Sequence, residues 1–243
     1  MSYYGLQKDD VVTIFTTSGN SYISNCVTNE IEKFCNWSMV IEPKTKILFV
    51  NHEFGYPYEN LMELKKYNLP VIEDCAHSFF SIDKKNSIGN MGDFVIYSFP
   101  KMFPLQIGGL VVSKIPFALE KAKKVTRDEL AYIKNVLSKN IRNKDKIIQD
   151  RILNYKFLQE RFSSLGLSER FQLSEGVVPG VFMFRADEMK ISLPELKNYY
   201  YAHGIQCSVF YGENAFFIPV HQALNDRDLD YFYEVIISFL NLY

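Results

Sequence analysis

Through the first half of the chain, apolar residues fall in short runs separated by longer polar stretches. Val11–Phe15, Ile47–Val50, Val71-Ile72, Phe94–Tyr97 and Leu110–Ser113 read as buried strands. Ser18 or Asn20 is placed to cap a helix running through Ile31 to Phe34. Tyr58–Tyr67 reads as a short helix, stopped by Asn68 and by Pro70 just beyond. Strands apolar on both faces and alternating with helices predict a mainly parallel sheet covered by helices. The last two strands lie closer together and read as a hairpin-like pair.

From Phe117 to about Phe162 the pattern changes to a stretch rich in Lys, Glu, Asn and Ile, without Pro or Gly. Ile141, Ile148, Ile152, Tyr155 and Phe162 recur at helical spacing. The spacing predicts one long helix, or two with a break near Thr126-Arg127-Asp128. Basic residues outnumber acidic ones here, but they interleave with the apolar stripe. That favours a solvated helix face over a basic groove. The last third reads as a small α+β unit. Val181–Phe184, Gln206–Phe210 and Phe216–Val220 are strands. Ser192 caps a helix with Glu195 three residues on, and that helix ends at His203-Gly204. Asn225 or Asp226 opens a final helix through Leu240. The natural boundary lies in Gly109–Pro116, dividing the chain into 1–116 and 117–243.

A length of 243 residues with 47% hydrophobic and 23% charged positions suits a folded globular protein and excludes disorder. Lys plus Arg is 27 against 28 Asp plus Glu, so no general pull toward nucleic acid or an anionic membrane exists. No apolar run reaches the roughly 18 residues of a membrane span, and Met1 to Asp10 has no signal pattern. Cys26, Cys35, Cys75 and Cys207 are scattered, and neither they nor the four His fall at metal-ligand spacing, so no metal is expected. The thiols read as free cysteines of a reducing cytoplasm. Aromatics reach 15%, with 20 Phe and 16 Tyr, which predicts a bulky core and bulky interfaces.

Two stretches carry candidate chemistry. In Val71-Ile72-Glu73-Asp74-Cys75-Ala76-His77 an acidic pair ends a buried strand, where open α/β sheets bind ligands. Asp74 is either a partner for a cationic ligand group or a cap for whatever follows. In Tyr97–Gly109, Lys101 sits among Phe99, Met102 and Phe103. It either snorkels to water or is desolvated into a neutral nucleophile. Ser98 offers a hydroxyl to an anionic oxygen, and Gly108-Gly109 allows a close backbone approach.

In combination these stretches resemble the DegT/DnrJ/EryC1/StrS family of sugar aminotransferases. The resemblance runs through Leu69–His77, then Gly92-Asp93-Phe94 through Ser98-Phe99-Pro100-Lys101, then Gly108-Gly109. Thr45–His52 followed by Gly55, Gly204-Ile205 and Phe217–His221 fit it in the same order. It implies a pyridoxal 5'-phosphate (PLP) transferase of fold type I, an α/β sheet with helices on both faces and a small C-terminal α+β domain. Lys101 would bond to the cofactor aldehyde and shuttle a proton. Asp74 would pair with the pyridinium nitrogen. His77 would lie beside the ring's phenolic oxygen, and Ser98 would contact the phosphate. Tyr22, placed in the helix after the first strand, would stack on the cofactor. His52 reads as a core residue more than a catalytic one, and His203 and His221 read as structural.

Two departures matter. Ser98 and Lys101 are closer than is common in the family, with Pro100 directly before the lysine. The chain also starts at about the family's second strand, without the family's N-terminal phosphate-binding turn. Thr16–Asn20 is a small polar turn that either substitutes for it or is a plain helix cap. The implied activity is amino transfer from an amino acid to a keto-sugar, nucleotide-linked, in surface polysaccharide or lipopolysaccharide synthesis, by a cytoplasmic homodimer. The alternative is a non-catalytic relative that acts as a binding partner or needs a separate chain to complete the site.

Overall fold

The structure, a computed structural model, describes residues 1–117, 125–187 and 191–242. The chain divides into two compact units, Met1–Asn143 with Glu175–Val177, and Lys144–Ser174 with Val178 onward. The first unit holds six strands: β1 (Val11–Thr16), β2 (Asn36–Ser38), β3 (Thr45–Asn51), β4 (Val71–Asp74), β5 (Phe94–Ser98) and β6 (Gly109–Ser113). They form one sheet in the order β2-β1-β3-β4-β5-β6. All neighbours run parallel except β6, which is antiparallel to β5. The hairpin-like pair is therefore β5 and β6. β2 escapes the sequence pattern because its three residues have no apolar run.

Both faces of the sheet are covered over β1, β3 and β4, which explains why those strands read as apolar. The strand expected to be buried at Leu110–Ser113 differs: it is the edge strand β6, and Leu110, Val111 and Val112 are exposed. Val12, Ile14, Ile47, Phe49, Ile72 and Phe94 pack on one face with Ile31 of helix α1 (Asn25–Glu32). Leu48, Val50 and Val71 face the other way, against Leu61 and Leu64. Those two leucines lie in a 3-10 turn, Leu61–Tyr67, which replaces the helix expected over Tyr58–Tyr67. Its stop signals are as predicted: Asn68 takes a left-handed φ of 52° ahead of Pro70. The first helix differs from expectation. Ser24 is the cap, accepting from the Cys26 N–H, and neither Ser18 nor Asn20 is.

Helices α2 (Arg127–Asn140) and α3 (Lys144–Ser163) are separated by a 3-10 turn, Ile141–Asn143. The break expected near Thr126–Asp128 is the start of α2, where Thr126 and Glu129 form a capping box. Part of the expected helix, 118–124, lies outside the described residues. The compact units part at Asn143 and not near residue 116, because Ile133 of α2 reaches back to the Gly108 backbone of the first unit.

The second unit holds α3, β7 (Val181–Arg185), α4 (Leu193–Ala202), β8 (Ser208–Phe210), β9 (Ala215–Pro219) and α5 (Asp226–Leu240). The three strands form an antiparallel sheet, β7-β9-β8. Ser192 caps α4 through the Glu195 N–H, as the sequence predicts, and of the two residues offered for α5 it is Asn225 that caps, in a box with Asp228. The aromatic excess is spent here: Tyr155, Phe162, Phe182, Phe184, Tyr200 and Phe216 are wholly buried. The inward stripe of α3 is Ile147, Arg151, Asn154, Tyr155, Leu158 and Phe162. Arg151 and Asn154 take the places expected for Ile148 and Ile152. Each buried polar head is satisfied, Arg151 Nε by Gln222 Oε1 at 2.8 Å and Asn154 Nδ2 by the His221 carbonyl at 3.0 Å. Burial lowers the Arg151 pKa to about 10.

Candidate active site

Strands β1, β3, β4 and β5 all run the same way, so their carboxyl ends share one edge of the sheet. The register aligns Thr16, Asn51, Asp74, Ile96 and Val111 in one row across five strands. Paired residues point to the same side of a sheet, and so does the residue two further along. Asp74, Ile96 and Ser98 therefore share a face, and Gly109 stands opposite Ser98. A Cβ on Gly109 would lie 2.5 Å from the Tyr97 carbonyl oxygen, so the β5–β6 pairing requires glycine there. We expect Gly109→Ala to lower stability by about 1–3 kcal/mol, read by thermal melting.

Asp74 ends β4 and accepts the Ala76 N–H at 2.9 Å in a local turn. Burial is the strongest influence on its carboxyl. It outweighs the Ala76 hydrogen bond and the weaker influences of His52 and, last, Lys101, and holds the pKa above the ordinary carboxylate range. Lys101 follows Asp74 by 27 positions. It sits at the end of a 3-10 turn, Phe99–Lys101, directly after β5. Phe99, Met102 and Phe103 are buried and anchor this turn, while the Lys101 side chain is exposed. Of the two readings of this lysine, the chain has the snorkelling one. The Ser98 hydroxyl makes no cap bond to the turn that it precedes.

His77 is half-buried on the segment after β4, with its ring edge-on to Phe54 at 5.8 Å between centroids. Tyr22 lies in the loop before α1 and not in the helix, because the helix starts at Asn25. It is exposed, and its N–H donates to Asn20 Oδ1 at 2.8 Å.

The Thr16–Asn20 turn neither caps a helix nor presents an open anion cradle. Its Ser18 N–H donates to Glu53 Oε2 at 2.7 Å, and Thr17 Oγ1 donates to the Tyr56 carbonyl at 2.6 Å. A phosphate at Ser18 would have to displace or face a carboxylate. Glu53 was invisible to sequence reasoning, because an acidic residue in a loop reads as solvent-exposed and this one is buried.

Glu73, next to Asp74 but on the other face of β4, belongs to a buried polar network. His52 and Glu73 are wholly buried and bond to each other, Nε2 to Oε2, at 3.1 Å. His52 Nδ1 accepts the Tyr58 N–H at 3.0 Å, which leaves Nε2 as the donor to Glu73. Glu73 also accepts the N–H groups of Gly89, Met91 and Gly92 at 2.7, 2.8 and 2.5 Å. Burial alone would raise its pKa, but the His52 bond and the Gly92 and Gly89 N–H groups outweigh that and leave it below the ordinary range. His52 thus has the core role that the sequence favoured. Cys75 lies within 4.8 Å of this pair, a grouping that could hold a metal ion. The ligand atoms of His52 and Glu73 are already committed to these hydrogen bonds.

The side chains present suit PLP at its ring. Asp74 is a half-buried carboxylate at the end of β4, Ser98 is a hydroxyl on the same face of the sheet, and Lys101 is an exposed amine on the turn directly after β5. The α/β sheet and the small α+β unit together have the fold of the PLP-dependent aminotransferases. The structure matches the aminotransferase TlmJ from Streptoalloteichus hindustanus with a TM-score of 0.81 at 17% identity, over 100% of this chain and 82% of that one. The profile of the DegT/DnrJ/EryC1/StrS aminotransferase family matches residues 36–135. GDP-perosamine synthase of Escherichia coli O157:H7 is 36% identical over 105 residues, 41% of this chain and 27% of that protein. UDP-4-amino-4,6-dideoxy-N-acetyl-beta-L-altrosamine transaminase of Campylobacter jejuni (strain 81-176) is 39% identical over 61 residues, 24% of this chain and 16% of that protein. The matched stretches thus span about a quarter or less of these curated relatives. Among the described residues no helix is long and apolar enough to cross a membrane.

Proposed function

We propose that this chain binds PLP at the Asp74–Ser98–Lys101 edge and moves an amino group between an amino-acid donor and a nucleotide-linked keto-sugar. The observation that carries this is the strand register, which puts Asp74 and Ser98 on one face at the carboxyl edge of the sheet, with Lys101 on the turn directly after β5. The kinship with proteins named for GDP- and UDP-linked amino sugars supports the substrate class. A role in surface polysaccharide or lipopolysaccharide synthesis, a cytoplasmic location and a homodimer belong to the same reading. Bound there, PLP would supply an electron sink that acidifies the carbon carrying the amino group. Asp74 would hold a proton on the ring nitrogen through its carboxylate. Lys101 Nζ, exposed on its turn, would reach the cofactor and move the proton. Ser98 would hold the phosphate, and His77 would lie at the phenolic oxygen. Tyr22 would stack on the ring from its loop.

The test is an absorbance spectrum of the purified protein with PLP, before and after borohydride, with peptide mapping. A new band, and a borohydride-stable mass increment on the Lys101 peptide, is the expected result. No band and no adduct at saturating PLP overturns the reading. One observation favours the alternative of a non-catalytic relative, or a chain completed by another polypeptide. The Ser18 N–H is taken by Glu53, so the turn ahead of α1 is not open to a phosphate.

A second expectation concerns Asp74 in the cofactor-free protein. Its folded pKa is raised, so ionising it in the fold is unfavourable. Its contribution to stability therefore falls as pH rises above the unfolded value of about 3.9 and levels off above the folded pKa. Asp74→Asn removes that penalty. The variant should melt above the parent at pH 7, lose this advantage near pH 4, and bind PLP far more weakly. Melting curves at both pH values and a PLP titration check it. A variant less stable at pH 7 would contradict the assignment.

A further inference from the structure

We propose that Phe54 is a positioning residue for His77, held in a left-handed backbone conformation so that its ring stands against the imidazole. Phe54 has φ 54° and ψ 17°, a region that a bulky L residue rarely adopts. Asn68 and Asn86 share the sign of φ, but asparagine tolerates it. Such strain persists where the surroundings over-determine it, and it concentrates at functional sites.

The surroundings of Phe54 do over-determine it. Glu53 accepts the Ser18 N–H, and its own N–H donates to Thr17 Oγ1 at 3.1 Å. Thr17 Oγ1 in turn donates to the Tyr56 carbonyl, and the Tyr56 N–H closes on the Glu53 carbonyl at 2.8 Å. These bonds tie the loop to the end of β1. On its other side, Ser81 Oγ donates to the Gly55 carbonyl at 2.5 Å and Ser78 Oγ to the His52 carbonyl at 3.0 Å. The His52 N–H donates to the Asp74 carbonyl at 3.1 Å. The loop is therefore bolted to Asp74 and to the segment that carries His77. Its only non-glycine residue with φ above zero is the one whose ring meets His77, centroids 5.8 Å apart and planes at 60°. An edge-on neighbour restricts the rotation of an imidazole about χ2. The use of His77 toward PLP rests on the function proposed above, whereas its orientation by Phe54 does not.

The test is Phe54→Gly, since glycine takes the same φ without strain. The melting temperature should hold or rise. NMR relaxation of the His77 imidazole, assigned with His77→Asn, should show a rigid ring in the parent and faster ring motion in the variant, without PLP. The PLP dissociation constant should rise about tenfold, the scale on which loss of an orienting neighbour acts. Phe54→Tyr, which keeps the ring, should restore both. Unchanged His77 relaxation, or an unchanged PLP dissociation constant in a protein that binds PLP, overturns the proposal. So does an affinity loss that tracks a fall in melting temperature. A parent protein that binds no PLP overturns the functional reading alone, and the NMR arm still decides the role of Phe54.

Discussion

Lys101→Ala should abolish the borohydride-stable PLP adduct and lower transamination by about four orders of magnitude, while leaving the melting temperature nearly unchanged. The side chain is exposed, so its truncation removes no core packing and should change stability by less than about 0.5 kcal/mol. The expected loss is chemical. The amine is the group on this edge that can both bond to an aldehyde and carry a proton, and a placed acid–base group contributes about 10²–10⁴ in rate even without the covalent role. Lys101→Arg separates charge from nucleophilicity. It keeps a cation near Asp74 but stays protonated, so it should retain some PLP affinity without forming the adduct. The adduct is read by peptide mapping and the rate by amino-group transfer from glutamate. Undiminished transfer in Lys101→Ala would remove Lys101 from the site.

Glu73→Gln should be strongly destabilising. Three backbone N–H groups and the His52 Nε2–H converge on the two carboxylate oxygens. An amide supplies one oxygen and turns an NH₂ toward donors at the other position. The change leaves buried donors facing each other, which costs about 3–5 kcal/mol when a buried charged acceptor is lost. For a chain of this size that lowers the melting temperature by about 10 °C. The pH dependence gives an independent check. The folded pKa of Glu73 is depressed, so its stabilisation is present above the unfolded value of about 4.3 and is lost as pH falls through the folded pKa. Glu73→Gln should lose that part of the acid-side decline. A melting temperature within 2 °C of the parent would show that the network is dispensable.

The acidic pair was legible as a pair, but the division of labour within it was not. Adjacent residues on a strand point to opposite faces, so one of Glu73 and Asp74 had to face each way. Which one met His52 and the Gly89–Gly92 turn depended on register and on a histidine 21 positions earlier. Similarly, Ser18 and Ser24 are both good caps by composition. In the fold Ser18 Oγ accepts the Asn20 N–H and the Ser18 N–H goes to Glu53, 35 residues on, while Ser24 starts the helix.

The sequence by itself determined the alternating strands, the mainly parallel sheet and the cap at Ser192, because period and capping chemistry are local properties. Tertiary structure decided what depends on distant partners. It put Tyr22 in a loop and left Lys101 exposed. It turned Arg151 and Asn154 inward by giving their polar heads Gln222 and the His221 carbonyl. It also held Phe54 in a conformation that its own side chain disfavours, through hydrogen bonds from Thr17, Ser18 and Ser81 to the residues beside it. Local preference is worth tenths of a kcal/mol to about 1 kcal/mol per residue, and several converging buried hydrogen bonds exceed it.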